Sequence, residues 1–124
     1  MALTGVHALI YTPEAEELRR LLGEVFGWSS VDAGGGWLIF ALPPAELGVH
    51  PADRPRHELS LTCDDLTATM AELGARGVTF GGEPEQHSWG TGVTMVLPGG
   101  VEVLLYEPRH PLAHASENVG PAPS

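Results

Sequence analysis

The chain has no lysine and a single cysteine, and six arginines stand against sixteen aspartates and glutamates, a formal net charge of −10. So few cations argue against a nucleic-acid partner, because an acidic surface repels phosphate backbones, and anionic membranes with them. Cationic ligands would be drawn in, although solubility alone accounts for such a charge. With Cys63 alone, no disulfide can close within the chain, which agrees with a reducing, cytoplasmic setting. Cys63 itself reads as a small core residue rather than a nucleophile. The first fifteen residues lack a basic stretch followed by a long apolar one, and no run approaches the roughly 18 apolar residues of a membrane span. A soluble cytoplasmic protein is therefore expected. At 124 residues and 43% hydrophobic content, the chain has enough apolar material for one domain with a real core.

What is present is a plan written twice. An offset of 51 positions sets Ala8 on Leu59, Ile10 on Leu61, Leu22 on Leu73 and Gly23 on Gly74. Residues 4–51 form a first module and residues 56–108 a second, joined by a link rich in proline and arginine. Together they make one domain over residues 1–110. Residues 111–124 offer no core-forming pattern and are expected to be a flexible tail.

In the first module, residues 6–12 read as a strand that is apolar on both faces. Thr12-Pro13-Glu14 then supplies a helix start, with Pro13 at the first helical position and acidic residues in the first turn. The periodic Leu18, Leu21, Leu22 and Val25 predict a helix over 13–26 that Gly27 ends. Strands are expected at 28–32 and, beyond the turn at Gly34-Gly35-Gly36, at 37–42, a run that must be buried on both faces. A last short strand is expected at 46–50. The second module repeats this with a strand at 58–63 and a helix from Asp64 or Asp65 to about Ala75. An extended stretch follows at 78–80, then a polar loop at 81–92 that could act as a lid, and a hairpin of 93–97 with 101–106 across Pro98-Gly99-Gly100. Each module reads βαβββ, an α+β class of domain.

These features resemble the vicinal oxygen chelate superfamily, which includes glyoxalase I, extradiol dioxygenases and fosfomycin- and bleomycin-resistance proteins. The likeness rests on residues 7–28, with Glu14 seven residues after His7 and Phe26-Gly27-Trp28 closing the helix. In the second module it rests on residues 58–66 and on Leu97-Pro98-Gly99-Gly100 leading to Tyr106-Glu107-Pro108. It covers residues 5–110 and implies two βαβββ modules curled into a half-open eight-stranded barrel with the helices outside. It also implies a homodimer, with the modules paired either within a chain or by exchange between chains.

In enzymes of this superfamily, His, Gln or Glu side chains from the first and last strands of each module hold a divalent metal, of which Fe, Mn, Zn and Ni suit such ligands. Here the resemblance places those positions at His7, Leu47, Glu58 and Leu104. His57 lies one residue out of register and would face the opposite side; Glu58 is favoured because Leu59 and Leu61 then face the helix. Two leucines cannot bind a metal, and catalytic sites normally use three protein ligands. The favoured expectation is therefore no metal; if one is bound, its ligands would be His7, Glu58 and Glu102.

Three readings remain open. The first is a small-molecule-binding protein without the usual metal site, similar to the bleomycin-resistance branch. It would take a cationic or aromatic ligand against His7, Tyr11, Trp37, Glu58, Trp89, Met95, Leu104 and Tyr106. The second is a divalent-metal-dependent lyase, isomerase or dioxygenase acting on vicinal oxygens. The third is a non-catalytic subunit with a filled barrel.

Overall fold

The computed structural model describes residues 4–111 and residue 113; the expected tail lies outside them apart from Pro111 and Ala113. The chain order is α1 (Ala15–Glu24), β1 (Ser30–Asp32), β2 (Leu38–Phe40), β3 (Ser60–Thr62), α2 (Leu66–Ala75), β4 (Thr79–Phe80), β5 (Glu85–His87), β6 (Gly90–Leu97) and β7 (Val101–Pro108).

Both helices form where caps and apolar spacing expect them. α1 begins two residues later than Pro13. The Thr12 hydroxyl accepts from the Glu14 amide at 3.2 Å and donates to the Pro98 carbonyl at 2.9 Å, which fixes the approach to the helix against the turn between β6 and β7. At the other end Gly27 takes φ +74°, a left-handed value open to glycine, and ends the helix as expected. In α2 the Asp65 carboxylate accepts from the Ala68 amide at 3.0 Å, a side-chain N-cap.

The second module forms the main sheet, in the order β3-β7-β6-β4, with β5 also paired to β6. β3 runs parallel to β7, with Ser60 opposite Leu104 and Thr62 opposite Tyr106. β6 and β7 form the antiparallel hairpin, with Gly92 opposite Tyr106 and Thr94 opposite Leu104. Alternation along this hairpin sends Val93, Met95, Leu97, Val103 and Leu105 to one face, where Leu18 of α1, Leu66 of α2 and Val78 complete a buried cluster. Each such side chain contributes about 1.5–3 kcal/mol by leaving water. The repeat is visible in this packing. Ile10 and Leu61 both pack against the cluster, as do Leu22 and Leu73. Gly23 lies under the Phe40 ring and Gly74 under that of Phe80.

The first module departs from its expected plan. β1 and β2 pair antiparallel around Gly34-Gly35-Gly36, all three with positive φ, and the Asp32 carboxylate accepts from the Gly34 amide at 2.7 Å. The strands expected at 6–12 and 46–50 do not form, and the described residues contain two separate sheets and no closed barrel. Pro43, Pro44 and Pro51 bracket the second of these segments and cannot donate to a ladder. The run 37–42 is not buried on both faces: Trp37 is 53% exposed and Leu42 45%. β2 pairs only with β1 and meets α1 at the Phe40 ring, so its three residues are half-buried while Trp37 and Leu42 beyond its ends stay exposed. In the expected loop 81–92, residues 85–87 fold back as β5 against the start of β6, since this stretch reaches the open edge of the hairpin. Among the described residues, no helix is long and apolar enough to cross a membrane.

Candidate functional site

The helices cover one face of the main sheet, and the alternate residues of its strands line the other. Thr94, Val96, Glu102, Leu104 and Tyr106 stand opposite in register to the core set, and Ser60 and Thr62 join them from β3. Leu104, Tyr106, Thr94 and Val96 are half-buried, while Glu102 is exposed. This is a mixed apolar and hydroxyl surface with one carboxylate at the end near the β6–β7 turn.

Aromatic side chains close the opposite end. The Trp89 indole meets the Tyr106 ring edge-on at 5.1 Å and stacks on the His87 imidazole at 4.6 Å with only 9° between planes. Beyond Tyr106 stands His110, whose Nε2 lies 3.4 Å from the Tyr106 hydroxyl. The backbone holds this group in place: the Arg109 amide donates to the Trp89 carbonyl at 2.8 Å, so β7 and the start of β6 stay joined past the end of regular pairing. Glu85 reaches the His87 imidazole at 3.8 Å, an exposed contact worth little by itself. Stacked rings of this kind offer flat, polarisable faces to a planar or cationic molecule.

Next to this end lies an open cavity of about 590 Å³ lined by Thr62, Cys63, Asp64, Glu107, Pro108, His110 and Pro111. Glu107 is committed there, since its carboxylate accepts from the Leu66 amide at 2.8 Å and closes the first turn of α2. The Cys63 thiol donates toward the Tyr106 carbonyl at 3.7 Å, and burial pushes its pKa up.

The structure brings together three of the residues singled out from sequence, Trp89, Leu104 and Tyr106. Met95 is placed elsewhere: it is fully buried on the helix-covered face, because it alternates with Thr94 and Val96. Trp37 lies in the first-module hairpin. His7 and Tyr11 lie on the exposed segment before Thr12, with Tyr11 87% exposed. Glu58 precedes β3 and is ion-paired with Arg56 at 2.7 Å, both side chains more than half exposed. Sequence reasoning passed over His87, His110 and Gly92. The available signals were the spacing of His87 and Trp89 across a turn and the opposition of a glycine to Tyr106.

The residues do not fit the metal that the superfamily resemblance implies. Of the four positions, Leu47 and Leu104 offer methyl groups, and the Glu58 carboxylate is spent on Arg56. Among the described residues no group of three or more His, Cys, Asp or Glu side chains could hold a metal ion.

No protein-family model and no curated protein matches the sequence. Solved structures do. TnmS3, an antibiotic binding protein from Streptomyces sp. CB03234, is 26% identical at a TM-score of 0.62, over 87% of this chain and 98% of that one. A glyoxalase/bleomycin resistance protein from the same organism is 25% identical at a TM-score of 0.53, over 77% of this chain and 93% of that one. A member of the glyoxalase/bleomycin resistance protein/dioxygenase superfamily from Sphaerobacter thermophilus shares the fold at 23% identity and a TM-score of 0.59, over 86% of this chain and 98% of that one. These neighbours support a divergent member of the vicinal oxygen chelate superfamily.

Proposed function

We propose that this divergent member of the glyoxalase/bleomycin resistance/dioxygenase superfamily is a small-molecule-binding protein that works without a divalent metal. The observation that carries the reading is the aromatic end of the open sheet face, where Trp89 stacks on His87 and meets the Tyr106 ring edge-on beside the half-buried Leu104. The ligand class is a planar aromatic compound, favoured when cationic, because ring faces and a −10 net charge both attract positive charge. The description of TnmS3 as an antibiotic binding protein supports a binding rather than a catalytic role. His7, Tyr11, Glu58 and Trp37 are assigned to the wall that faces this end in a completed barrel, on the strength of the sequence repeat. The protein is assigned to the cytoplasm, as a homodimer, with residues 1–110 as its one domain.

The test is a titration of metal-free protein with a panel of planar aromatic cations and their neutral analogues, followed by calorimetry. Saturable binding is expected for at least one cation, weakened by roughly tenfold or more in Trp89→Ala, a change of about 1.4 kcal/mol. The absence of saturable binding across the panel overturns the reading.

A further inference from the structure

The two stacked rings at the aromatic end are held unequally. β5 and β6 are joined by the short turn Ser88-Trp89, with His87 opposite Gly90. On the β6 side the backbone is pinned. Gly90 is buried against the end of β7, where a methyl group on it would collide with the Glu107 carbonyl oxygen, a close approach that only glycine permits. The Trp89 carbonyl accepts from the Arg109 amide at 2.8 Å, and Gly92 and the Tyr106 ring bound the indole on its sheet side.

His87 is held far less. β5 is an edge strand whose three residues are all exposed and which pairs only with β6. The imidazole side chain is 42% exposed, and its ring and charge contacts among the described residues are two: the indole, and the Glu85 carboxylate at 3.8 Å from Nε2. At 4.6 Å between centroids and 9° between planes, the imidazole lies on the indole as a flat ligand would. A fixed platform therefore carries a movable ring of the chain's own.

We propose that His87 is a built-in occupant of the ligand's stacking face and so determines what binds there. The proposal rests on the reading of this face as a ligand site: a planar ligand takes the place of the imidazole on Trp89, and His87 swings into water. The ligand class is a heteroaromatic cation with its charge on a ring nitrogen, because such a molecule inherits both of the imidazole's partners, the indole face and the Glu85 carboxylate. At 3.8 Å that carboxylate makes a charge contact rather than a hydrogen bond, so a methylated ring nitrogen serves as well as an N–H. A cation whose charge lies on a side arm outside the ring gives up one of the two contacts.

Displacement makes affinity depend on pH with a defined sign. An imidazolium holds the indole by a cation–π attraction and faces Glu85 as a charge, whereas the neutral ring does neither. Acidification thus lowers the fraction of molecules whose indole face is free, and apparent affinity falls by the same factor. An exposed cation–π contact corresponds to about two- to fivefold in that fraction. The charged and titratable residues around His87 are Glu85 on its own strand and, at the end of β7, Tyr106, Glu107, Arg109 and His110. Glu107 is turned to the Leu66 amide, and the His110 Nε2 faces the Tyr106 hydroxyl at 3.4 Å rather than the indole.

The experiment titrates N-methylquinolinium, whose charge does not change with pH, into the full chain and into its His87→Ala and His87→Phe variants. Measurements are made at about pH 5.5 and about pH 7.5, on either side of the ordinary imidazole pKa. Wild-type protein is expected to bind about two- to fivefold more tightly at the higher pH. His87→Ala is expected to bind at least as tightly as wild type and equally at both pH values. His87→Phe keeps an uncharged ring on the indole and is expected to bind more weakly than His87→Ala, also without pH dependence. Benzyltrimethylammonium, with its charge outside the ring, is expected to bind wild type more weakly than N-methylquinolinium. Weaker binding in His87→Ala than in wild type at both pH values overturns the proposal, since the imidazole would then be part of the ligand's seat. A pH dependence that survives His87→Ala overturns it too, as does tighter binding of benzyltrimethylammonium. Acrylamide quenching of Trp89 emission, in a Trp28→Phe and Trp37→Phe background, separates this from failure of the ligand reading. His87→Ala is expected to raise the quenching. Raised quenching with no compound bound by any variant overturns the ligand reading, whereas unchanged quenching with saturable binding overturns the displacement alone.

Discussion

Gly92 lies directly beneath Trp89: a methyl group on Gly92 would stand 3.3 Å from the indole, 3.1 Å from Leu104 and 3.2 Å from Tyr106. The absence of a side chain at this one position lets the indole lie down on the sheet and meet the Tyr106 edge. Gly92→Ala therefore crowds the Leu104 methyl, the Tyr106 Cβ and the Trp89 ring at once, and each has to give by a few tenths of an ångström. Overpacking of this kind costs about 1–3 kcal/mol. The expected outcome is a loss of that size in chemical denaturation, together with ligand binding weakened several-fold and an altered near-ultraviolet dichroism. Unchanged dichroism and affinity would show that the indole does not depend on the glycine.

A second tie joins the end of β7 to α2. The Glu107 carboxylate accepts from the Leu66 amide, one of the helix's unpaired first-turn donors, while Asp65 serves Ala68. Glu107→Ala leaves that amide without its partner on a buried residue and is expected to cost about 1 kcal/mol. Glu107→Gln keeps an oxygen acceptor and should recover most of it. Denaturation midpoints of the two variants decide the point, and an equal loss in both would mean that the charge, rather than the hydrogen bond, matters.

The parts of the fold that follow from local chemistry were legible in the sequence. Asp65 before an apolar run, Gly27 after one, and the Pro98-Gly99-Gly100 turn each act within a few residues, and the elements they bound form where expected. The repeat was legible too, since Ile10 and Leu61, or Leu22 and Leu73, occupy like places in the core. Strands 6–12 and 46–50 were misjudged because apolar alternation states what a segment can bury, not whether a neighbouring edge is within reach. Met95 shows the same limit at the site: a residue of the right type one position out of register belongs to the opposite face. His87 and His110 were missed because their value comes from the rings beside them, Trp89 and Tyr106, which only the folded chain brings into contact.

Cys63 yields a pH prediction. Burial is the main cause that raises its thiol pKa, with the nearby Glu107 and Asp64 charges acting the same way and a hydrogen bond with Thr69 opposing. A raised value means that the folded state holds the proton more tightly than the unfolded chain does. The thiol's contribution to stability is then fully present below the ordinary thiol pKa of about 8.5 and is lost as pH rises through the folded value. Alkylation by iodoacetamide is accordingly expected to be slow at pH 8 in the native protein and fast after denaturation. Cys63→Ala should flatten the decline in stability that sets in above the ordinary thiol pKa. Native alkylation at the rate of a free thiol would refute the burial argument.

Leu104 and Leu47 carry the last prediction, because they stand where a metal site would need donor atoms. A ligand that binds only the folded state stabilises it by RT ln(1 + [L]/Kd), about 2.7 kcal/mol at a concentration one hundred times Kd. For a domain of this size that is a rise of several degrees in Tm. Loading the protein with Fe, Mn, Zn or Ni is expected to leave Tm within a degree or so of the chelator-treated protein, and elemental analysis after desalting should find far less than one ion per chain. His7→Ala should then make no difference to either measurement. A stoichiometric ion that raises Tm and is lost in His7→Ala would show that His7 and Glu58 recruit further donors, and the metal-free reading would fall.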